Sequence, residues 1–219
     1  MMPDGLSREL IAMRAAKELK DGMFVNLGIG LPTLVSNFIE DLDITLQAEN
    51  GILGYGNILE EDFDPDFINA GGQPVDILPG AAFFNSAQSF GMIRGGHIDV
   101  AILGGLQVAQ NGDLANWFVP ERGGGSIGGA MDLAVGAKKL IITMAHTTKN
   151  GESRILQECS YPLTAQKCVD LIVTDLAVIK CEEGKLNLLE TAPGVTVEEV
   201  ISLTEANLTI DTNIKEMSL

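Results

Sequence analysis

Basic residues are scarce in this chain of 219 residues. It carries 14 Lys and Arg against 30 Asp and Glu, which gives a formal net charge of -16. Nucleic-acid binding needs a basic face, so the composition argues against a nucleic-acid partner. It also means that an anionic ligand must be held by local donors or by a partner chain.

Cysteine and histidine are few as well. Cys159, Cys168 and Cys181 form no CxxC pair and no metal-ligand cluster. We expect them to be buried, reduced thiols. His97 and His146, the only two histidines, each lack a second His or a Cys at ligand spacing. The sequence therefore predicts no metal site and favours structural roles for both histidines.

Long apolar runs are missing, and none approaches the length of a membrane span. The N-terminal stretch contains several charged residues where a signal peptide needs an unbroken apolar core. We therefore expect a cytoplasmic protein with no membrane partner. What the chain has is 46% hydrophobic residues and 25 glycines, which is typical of a compact globular protein. Its length predicts one domain, residues 1–219.

Apolar runs alternate with segments of helical periodicity, and several of the runs end in glycine. We predict strands at residues 23–27, 44–47, 75–78, 100–103 and 140–144, and helices at residues 6–16, 32–39, 87–94 and 197–206. The strand at 75–78 is expected to end at Pro79, and the tail after residue 206 carries little signal. This alternation predicts one α/β domain with a mainly parallel sheet.

The strand at 44–47 leads a single carboxylate, Glu49, into an Asn-Gly turn. Sites of α/β proteins form outside the carboxyl ends of such strands. No Gly-x-Ser-x-Gly elbow exists, and two histidines leave few options for a catalytic triad. By elimination, a carboxylate is the strongest candidate nucleophile.

Two glycine-rich stretches leave alternatives open. The turn Gly28-Ile29-Gly30 lacks the third glycine of a dinucleotide fingerprint, because position 33 is Thr. It is either a tight connection or a place where backbone N–H groups approach a ligand. The stretch from Gly123 to Gly129 lacks the Lys-Ser/Thr of a phosphate loop. It either supplies oxyanion donors or forms a mobile loop.

The segment from Leu46 to Gly54, Leu-Gln-Ala-Glu-Asn-Gly-Ile-Leu-Gly, closely resembles the catalytic-glutamate signature of the family I CoA-transferases, in their β subunit. Further matching motifs cover nearly the whole chain: Asn26 to Gly30, Ile68 to Gly71, Met92 to His97, Gly112 to Trp117, Gly128 to Leu133 and Tyr161 to Thr164. So many ordered motifs make a chance match implausible.

The resemblance implies a three-layer CoA-transferase (NagB/RpiA-like) fold and a ping-pong reaction. CoA would pass between a short-chain acyl-CoA and a small carboxylic acid, with a 3-oxo acid favoured, through a glutamyl-CoA thioester on Glu49. CoA is then a co-substrate, and no cofactor is bound permanently. An α subunit would complete the site, in a heterodimer or an α2β2 assembly.

The resemblance also implies roles for particular residues. The Gly129 N–H would face the oxyanion, with Gly128 and Ala130 beside it in the substrate site. Gly28 and Gly30 would line the approach of the CoA arm. Asn50 and Asn116 are weaker candidates for substrate contact, and Asn50 is expected mainly to fix its turn.

Three departures from the family pattern concern specificity. Ala48 replaces the usual Ser, the run Pro120 to Gly124 replaces Pro-Gly-Lys-Met, and Ala145 replaces a Glu found in close relatives. We expect the altered loop to reshape the acyl pocket. If it admits water, the alternative activity is acyl-CoA hydrolysis. A third alternative is a non-catalytic metabolite-sensing domain, which the intact Glu49-Asn50-Gly51 turn disfavours.

Overall fold

The computed structural model describes residues 3–219, and short strands make up most of its regular structure. The strands are β1 Phe24–Leu27, β2 Thr45–Ala48, β3 Ile52–Ile58, β4 Val75–Phe83, β5 Val100–Gly104, β6 Gln107–Ala109, β7 Leu114–Ala115, β8 Phe118–Val119, β9 Gly124–Gly125, β10 Lys139–Met144, β11 Ile155–Leu156, β12 Leu171–Thr174, β13 Ala177–Glu182, β14 Lys185–Thr191 and β15 Leu208–Glu216. The helices are α1 Arg8–Ala16, α2 Ser86–Arg94, α3 Ala130–Gly136 and α4 Val197–Ser202, with 3-10 helices at Pro32–Phe38 and Pro120–Arg122.

Ten of these strands form one sheet in the order β15-β14-β13-β12-β10-β5-β1-β2-β3-β4. The five central strands, from β12 to β2, are mutually parallel, and antiparallel pairs flank them on both sides. Two groups of helices pack around the sheet: α1 lies against the Pro32–Phe38 helix, β10 and β12, while α2 and α3 pack on each other. The predicted α/β class with a mainly parallel sheet is confirmed.

The central strands form the core because their sequences are apolar on both faces. Residues 100–103 of β5 and 140–144 of β10 are all buried, as is every residue of β12. A strand in a parallel sheet is covered on both sides, which is why these strands show apolar runs rather than alternation. The sheet runs through most of the chain. The domain boundaries 1–219 stay a prediction, and residues 1 and 2 lie outside the described part.

Three details of the predicted elements are wrong, and one strand is not predicted. The predicted helix at 32–39 is a 3-10 helix, and the last helix ends at Ser202 rather than at residue 206. Strand β4 does not end at Pro79 but continues to Phe83. A proline is tolerated there because β4 is an edge strand, so its missing N–H costs no ladder hydrogen bond. The tail forms a nine-residue strand, β15, that the sequence pattern does not predict.

The three cysteines are free, as predicted, but they are only partly buried rather than buried. Burial still dominates their chemistry: it raises the pKa of Cys159 to about 11 and those of Cys168 and Cys181 to about 12. All three thiols therefore stay protonated at neutral pH. Among residues 3–219 no helix is long and apolar enough to cross a membrane. The cytoplasmic location stays a prediction.

Candidate active site

Glu49 lies in the turn that joins β2 to β3, and Gly51 makes that turn possible. Gly51 has φ of 126°, a conformation that L side chains rarely adopt. A Cβ at this position would lie 2.1 Å from the carbonyl oxygen of Phe84. The turn is held by hydrogen bonds from the Gly51 N–H to Ala48 (3.0 Å) and from the Phe84 N–H to Gly51 (3.0 Å). The sequence Glu-Asn-Gly thus fixes the backbone that carries the carboxylate.

A buried amide holds the Glu49 side chain. Asn26 in β1 is fully buried, and its Nδ2 lies 3.1 Å from Glu49 Oε2. The same Nδ2 also lies 3.0 Å from the carbonyl oxygen of Gln47 and 2.7 Å from Gln47 Oε1. Gln47 in turn donates from Nε2 to Ser89 Oγ of α2 at 2.8 Å. A chain of side chains from β1, β2 and α2 therefore positions the carboxylate.

The Asn26 amide has more acceptors around it than hydrogens to give. Three acceptor oxygens, belonging to Gln47 and Glu49, surround an NH2 group with two hydrogens. Its own Oδ1 is buried and has no hydrogen-bond partner within the described part of the chain. Burying an unpartnered carbonyl oxygen costs roughly 1–3 kcal/mol.

The Glu49 carboxylate also affects the pKa of a neighbouring side chain, that of Tyr55. Tyr55 of β3 is buried, and this burial, together with the nearby Glu49 carboxylate, raises the pKa of its phenol. Tyr55 therefore remains a neutral phenol beside the carboxylate.

Gly129 brings its backbone against Glu49 from the other side. It directly precedes α3, and a Cβ placed on it would lie 3.4 Å from Glu49 Cγ and 3.2 Å from Cε1 of Phe90. The Gly129 N–H donates no backbone hydrogen bond within the described residues. A free amide hydrogen close to a carboxylate side chain can stabilise an oxyanion formed there.

A cavity of about 350 Å³ opens in front of these groups. Its lining includes six of the eight predicted site residues: Gly28, Glu49, Asn116, Gly128, Gly129 and Ala130. The rest of the wall is mainly apolar, with Leu103, Leu106, Ile127 and Leu133, and no Lys or Arg lines this cavity. The structure thus brings together residues that lie up to about a hundred positions apart in the sequence.

Gly30 and Asn50 do not line the cavity. Gly30 has φ of 93°, and the nearest atom to a Cβ there would be Nη2 of Arg8, at 4.0 Å. Asn50 donates from Nδ2 to the carbonyl oxygen of Ile68 at 2.8 Å, which ties the Glu49 turn to the segment before β4. This contact fits the turn-fixing role expected of Asn50. Contact of either residue with CoA stays a prediction.

Asn116 lines the cavity, yet its side chain is engaged with the protein. Nδ2 donates to the carbonyl oxygen of Gly104 at 3.0 Å, and Oδ1 accepts from Thr164 Oγ1 at 2.6 Å. Thr164 Oγ1 also accepts from the Asn116 N–H at 3.0 Å. Asn116 is therefore hydrogen-bonded to the carboxyl end of β5. The second hydrogen of its NH2 group remains available to a ligand.

The altered loop forms a small hairpin beside the cavity. Strands β8 and β9 pair across the Pro120–Arg122 turn, and a Cβ at Gly125 would lie 1.9 Å from the carbonyl oxygen of Trp117. The next residues, from Ser126 onward, line the cavity. The hairpin is thus connected directly to the cavity wall, and its effect on an acyl pocket stays a prediction.

The two histidines lie outside this cavity. His146 is fully buried and its ring nitrogens lie 2.9 Å from Thr174 Oγ1 and 2.8 Å from Thr204 Oγ1. Burial lowers its pKa to about 4, so it is neutral and structural. His97 is exposed and lines a different pocket.

Sequence reasoning missed Asn26, Gln47 and Ser89 as site residues. A signal was present, because Asn26 and Gln47 are polar residues inside apolar strand segments and are direct partners in the β1–β2 register. A buried polar side chain needs a partner, which predicts neighbouring polar groups in adjacent strands. The register that makes them neighbours does not follow from the pattern alone.

Comparison with known proteins identifies the family. The model of the coenzyme A transferase family matches residues 8–203. The chain is 54% identical to one subunit of the succinyl-CoA:3-ketoacid coenzyme A transferase of Helicobacter pylori over 204 residues, covering 93% of this chain and 99% of that protein. It is 51% identical to the beta chain of the acetate CoA-transferase of Escherichia coli K12, covering 93% and 94% of the two chains.

A solved structure shows the same fold at greater sequence distance. The acyl-CoA transferase YdiF of Escherichia coli O157:H7 superposes with a TM-score of 0.78 at 23% identity, covering all of this chain and 45% of that one. The fold, the family model and the two relatives at 54% and 51% identity all indicate the same family. The chain therefore belongs to the coenzyme A transferase family.

Proposed function

We propose that this CoA-transferase chain moves CoA from a short-chain acyl-CoA to a 3-oxo acid through a covalent thioester on Glu49. The observation that carries the proposal is the setting of Glu49. Its carboxylate is held by Asn26 at 3.1 Å, and the backbone of Gly129 lies against its side chain at the cavity wall. A fixed carboxylate with an amide donor beside it has the parts that acyl transfer requires.

The first half-reaction begins with attack by a Glu49 oxygen on the thioester carbonyl carbon. The C–S bond breaks, CoA leaves as a thiolate, and an acyl-glutamyl anhydride forms. The thiolate then attacks the Glu49 carbonyl carbon of this anhydride. The donor acid leaves as a carboxylate, and CoA remains on Glu49 as a thioester.

The second half-reaction reverses these steps with a new acid. The acceptor carboxylate attacks the glutamyl thioester, releasing CoA thiolate and forming a second anhydride. The thiolate attacks the acceptor's acyl carbon, which yields the new acyl-CoA and restores the Glu49 carboxylate. Because nucleophile and substrates are all carboxylates, the intermediates stay near energetic balance and need no ATP or metal.

In this mechanism the Gly129 N–H donates to the oxyanion of each tetrahedral intermediate. One such donor contributes about 3 kcal/mol of transition-state stabilisation. The resemblance to family I enzymes assigns a second donor, a glutamine side chain, to the α subunit. The active unit in this proposal is a heterodimer or an α2β2 assembly.

The charge of the chain supports a partner at this site. CoA carries phosphate groups, yet the cavity is lined by no Lys or Arg and the chain has a net charge of -16. The phosphates therefore need cations from elsewhere. The α subunit is the natural source of these contacts.

The names of relatives guide the choice of substrates. The Helicobacter pylori relative is named for succinyl-CoA and a 3-ketoacid, and the Escherichia coli K12 relative for acetate. One structure of YdiF is described as a thioester complex with CoA, which supports a thioester intermediate in this fold. We therefore favour a short acyl donor with a 3-oxo acid such as acetoacetate as acceptor.

The test traps the intermediate. The chain, co-expressed with its α subunit, is mixed with an acyl-CoA and treated with borohydride, which reduces a glutamyl thioester. Mass spectrometry is expected to find the reduced side chain at Glu49 and at no other acid. In Glu49→Gln the adduct disappears and turnover falls roughly a thousand-fold or more, whereas exposed Glu183→Gln is expected to react like the wild type.

The remaining outcomes separate the alternatives. Absence of an adduct during turnover would overturn the covalent mechanism. CoA release without an acceptor acid, at the rate seen with one, would identify a hydrolase. Full activity of the chain without an α subunit would refute the shared site.

A further inference from the structure

The central sheet ends in two edge strands of equal length and very different composition. Strand β15 spans nine residues and includes Asp211, Lys215 and Glu216. Strand β4 also spans nine residues, and Asp76 is its only charged residue. Charged side chains protect exposed sheet edges from pairing with other chains, whereas apolar edges are normally covered. By this criterion β15 is suited to exposure to solvent, whereas β4 has the composition of an edge that another chain covers.

Large apolar side chains project from β4. Leu78 is 40% exposed and Phe83 is 55% exposed, and the ring of Phe83 stacks on Phe67 with centroids 5.3 Å apart. Pro79 and Ala82, between them on the strand, are exposed as well. We call these five residues the β4 patch. Large apolar side chains that stay exposed along an edge strand are typical of a surface that another chain covers.

The β4 patch adjoins the catalytic turn. Phe83 pairs with Ile52 in the β3–β4 register. The next residue, Phe84, donates its N–H to Gly51 at 3.0 Å, two positions after Glu49. A chain seated on the patch would therefore lie next to the cavity that contains Glu49.

We propose that the β4 patch is the surface on which the α subunit docks, a claim that rests on the proposed function. A partner that supplies a donor and phosphate contacts at Glu49 must cover a surface bordering the turn, and the β4 patch borders it. The matched fold occupies 45% of the YdiF chain, so more than half of that chain lies outside it. A second unit of comparable size is thus compatible with this fold.

The form of β4 indicates how the partner binds. Pro79 has no N–H, and the β3–β4 register shifts between Leu53 and Tyr55 and again before Ile58. These irregularities prevent a regular added strand. The contact is therefore made by side chains packing on the patch. The acidic residues Glu60, Glu61, Asp62, Asp64 and Asp66 precede Phe67, so the surface that fits has an apolar centre with a basic rim.

The test compares the two edges of the sheet. Leu78→Asp and Phe83→Asp place a charge on β4, and Ile210→Asp places one on β15, where Ile210 has the same 40% exposure as Leu78. Binding of the purified α subunit is measured by titration calorimetry, and assembly by size-exclusion chromatography with light scattering. Both β4 variants are expected to bind about tenfold or more weakly, and Ile210→Asp is expected to bind like the wild type.

Folding is checked separately, by circular dichroism and by the thermal midpoint of each variant alone. A photo-cross-linking side chain installed in place of Leu78 avoids the added charge, and it should capture the α subunit. Normal affinity of both β4 variants for the α subunit would overturn the inference. So would cross-links to a second copy of this chain alone, or an equal loss in Ile210→Asp.

The assembly readout also separates this inference from the proposed function. A complex that assembles through the β4 patch but transfers no CoA would refute the function and leave the docking surface standing. An active complex that forms normally with both β4 variants would refute the docking surface alone.

Discussion

Glu49 is held by a hydrogen-bonded chain rather than by an ion pair. Its Oε2 is 3.1 Å from Asn26 Nδ2, and Asn26 is fixed by Gln47, which is fixed by Ser89. A lysine in place of Asn26 would stabilise the carboxylate as an anion and weaken it as a nucleophile. A neutral amide orients the carboxylate with less effect on its reactivity.

We predict that Asn26→Ala lowers kcat about tenfold or more with a smaller change in KM. A hydrogen bond to a charged group contributes roughly 1.5–3 kcal/mol, and the carboxylate loses its orientation when the bond is removed. Steady-state kinetics of the assembled enzyme measures the effect. Asn26→Asp is expected to be worse, because it places a second carboxylate next to Glu49.

The matched control is Asn57→Ala. Asn57 also donates from Nδ2 to a glutamate, Glu40, at 2.9 Å, but at the exposed surface and away from the turn. This variant should keep wild-type kinetics. An unchanged kcat in Asn26→Ala, with the fold intact, would show that the amide does not position Glu49.

At the scale of elements, the segment from β8 to α3 carries the second half of the site. It folds as a two-stranded hairpin, a short glycine-rich connection and a helix that begins at Ala130. The hairpin depends on Gly125, and the approach to Glu49 depends on Gly129. The same glycines therefore build the backbone and leave room for substrate.

Gly129→Ala tests this arrangement. The Gly129 φ is -88°, which alanine adopts without strain, so the fold should tolerate the change. The added Cβ would lie 3.2 Å from Phe90 and 3.4 Å from Glu49 Cγ, displacing the amide and the carboxylate from each other. We expect turnover to fall about tenfold to a hundredfold. The upper end of this range is the loss expected when one oxyanion donor is removed.

Gly124→Ala is the control for Gly129→Ala. It lies in the same glycine-rich run, and the nearest atom to its Cβ would be the Arg122 carbonyl oxygen at 4.0 Å. Thermal midpoints of both variants should stay near that of the wild type. If Gly124→Ala lost as much activity as Gly129→Ala, loop flexibility rather than the Gly129 amide would explain the loss.

The elements that the sequence predicts well are those with one dominant signal. The strands β5 and β10 are predictable because continuous apolar runs leave few other structures. Strand β15 is missed because its apolar alternation is incomplete: Leu208, Ile210 and Ile214 fall on alternate positions, but Thr212 between them is polar. The extension of β4 beyond Pro79 depends on its position at a sheet edge, which is a tertiary property.

For the whole molecule, the site lies where parallel strands place their carboxyl ends. The cavity takes Gly28 after β1, Glu49 after β2 and Gly104 at the end of β5, and these strands are neighbours in the sheet. The rule that α/β sites form at this edge predicts Glu49 as a site residue. The rule cannot identify Gly129, which lies some eighty positions after Glu49. Only the resemblance to the CoA-transferase family implies a role for Gly129.

Cavity size does not identify the site. A larger cavity of about 940 Å³ lies at the amino ends of β10 and β12, lined by Lys139, Lys167 and Lys185 among others. Acidic groups balance much of this charge: Lys139, for instance, pairs with Glu18 at 2.7 Å. The smaller cavity is the one that combines a held carboxylate, a backbone donor and an apolar wall.

Buried His146 makes the stability of the whole fold sensitive to acid. Burial lowers its pKa from 6.5 to about 4. Between these values the unfolded chain binds a proton that the folded chain does not, so stability is full above about pH 6.5 and falls as the pH decreases toward 4. The slope is at most about 1.4 kcal/mol per pH unit, and the total loss is up to roughly 3 kcal/mol.

The measurement is urea unfolding at several pH values between 7 and 4, for the wild type and for His146→Gln. A glutamine can still bond the hydroxyls of Thr174 and Thr204 but cannot titrate in this range. The variant should be less stable at pH 7 and lose less stability on acidification, so the two curves converge toward pH 4. Carboxylates elsewhere titrate alike in both proteins and cancel in the difference. Parallel curves would show that protonation of His146 does not drive the acid sensitivity of the fold.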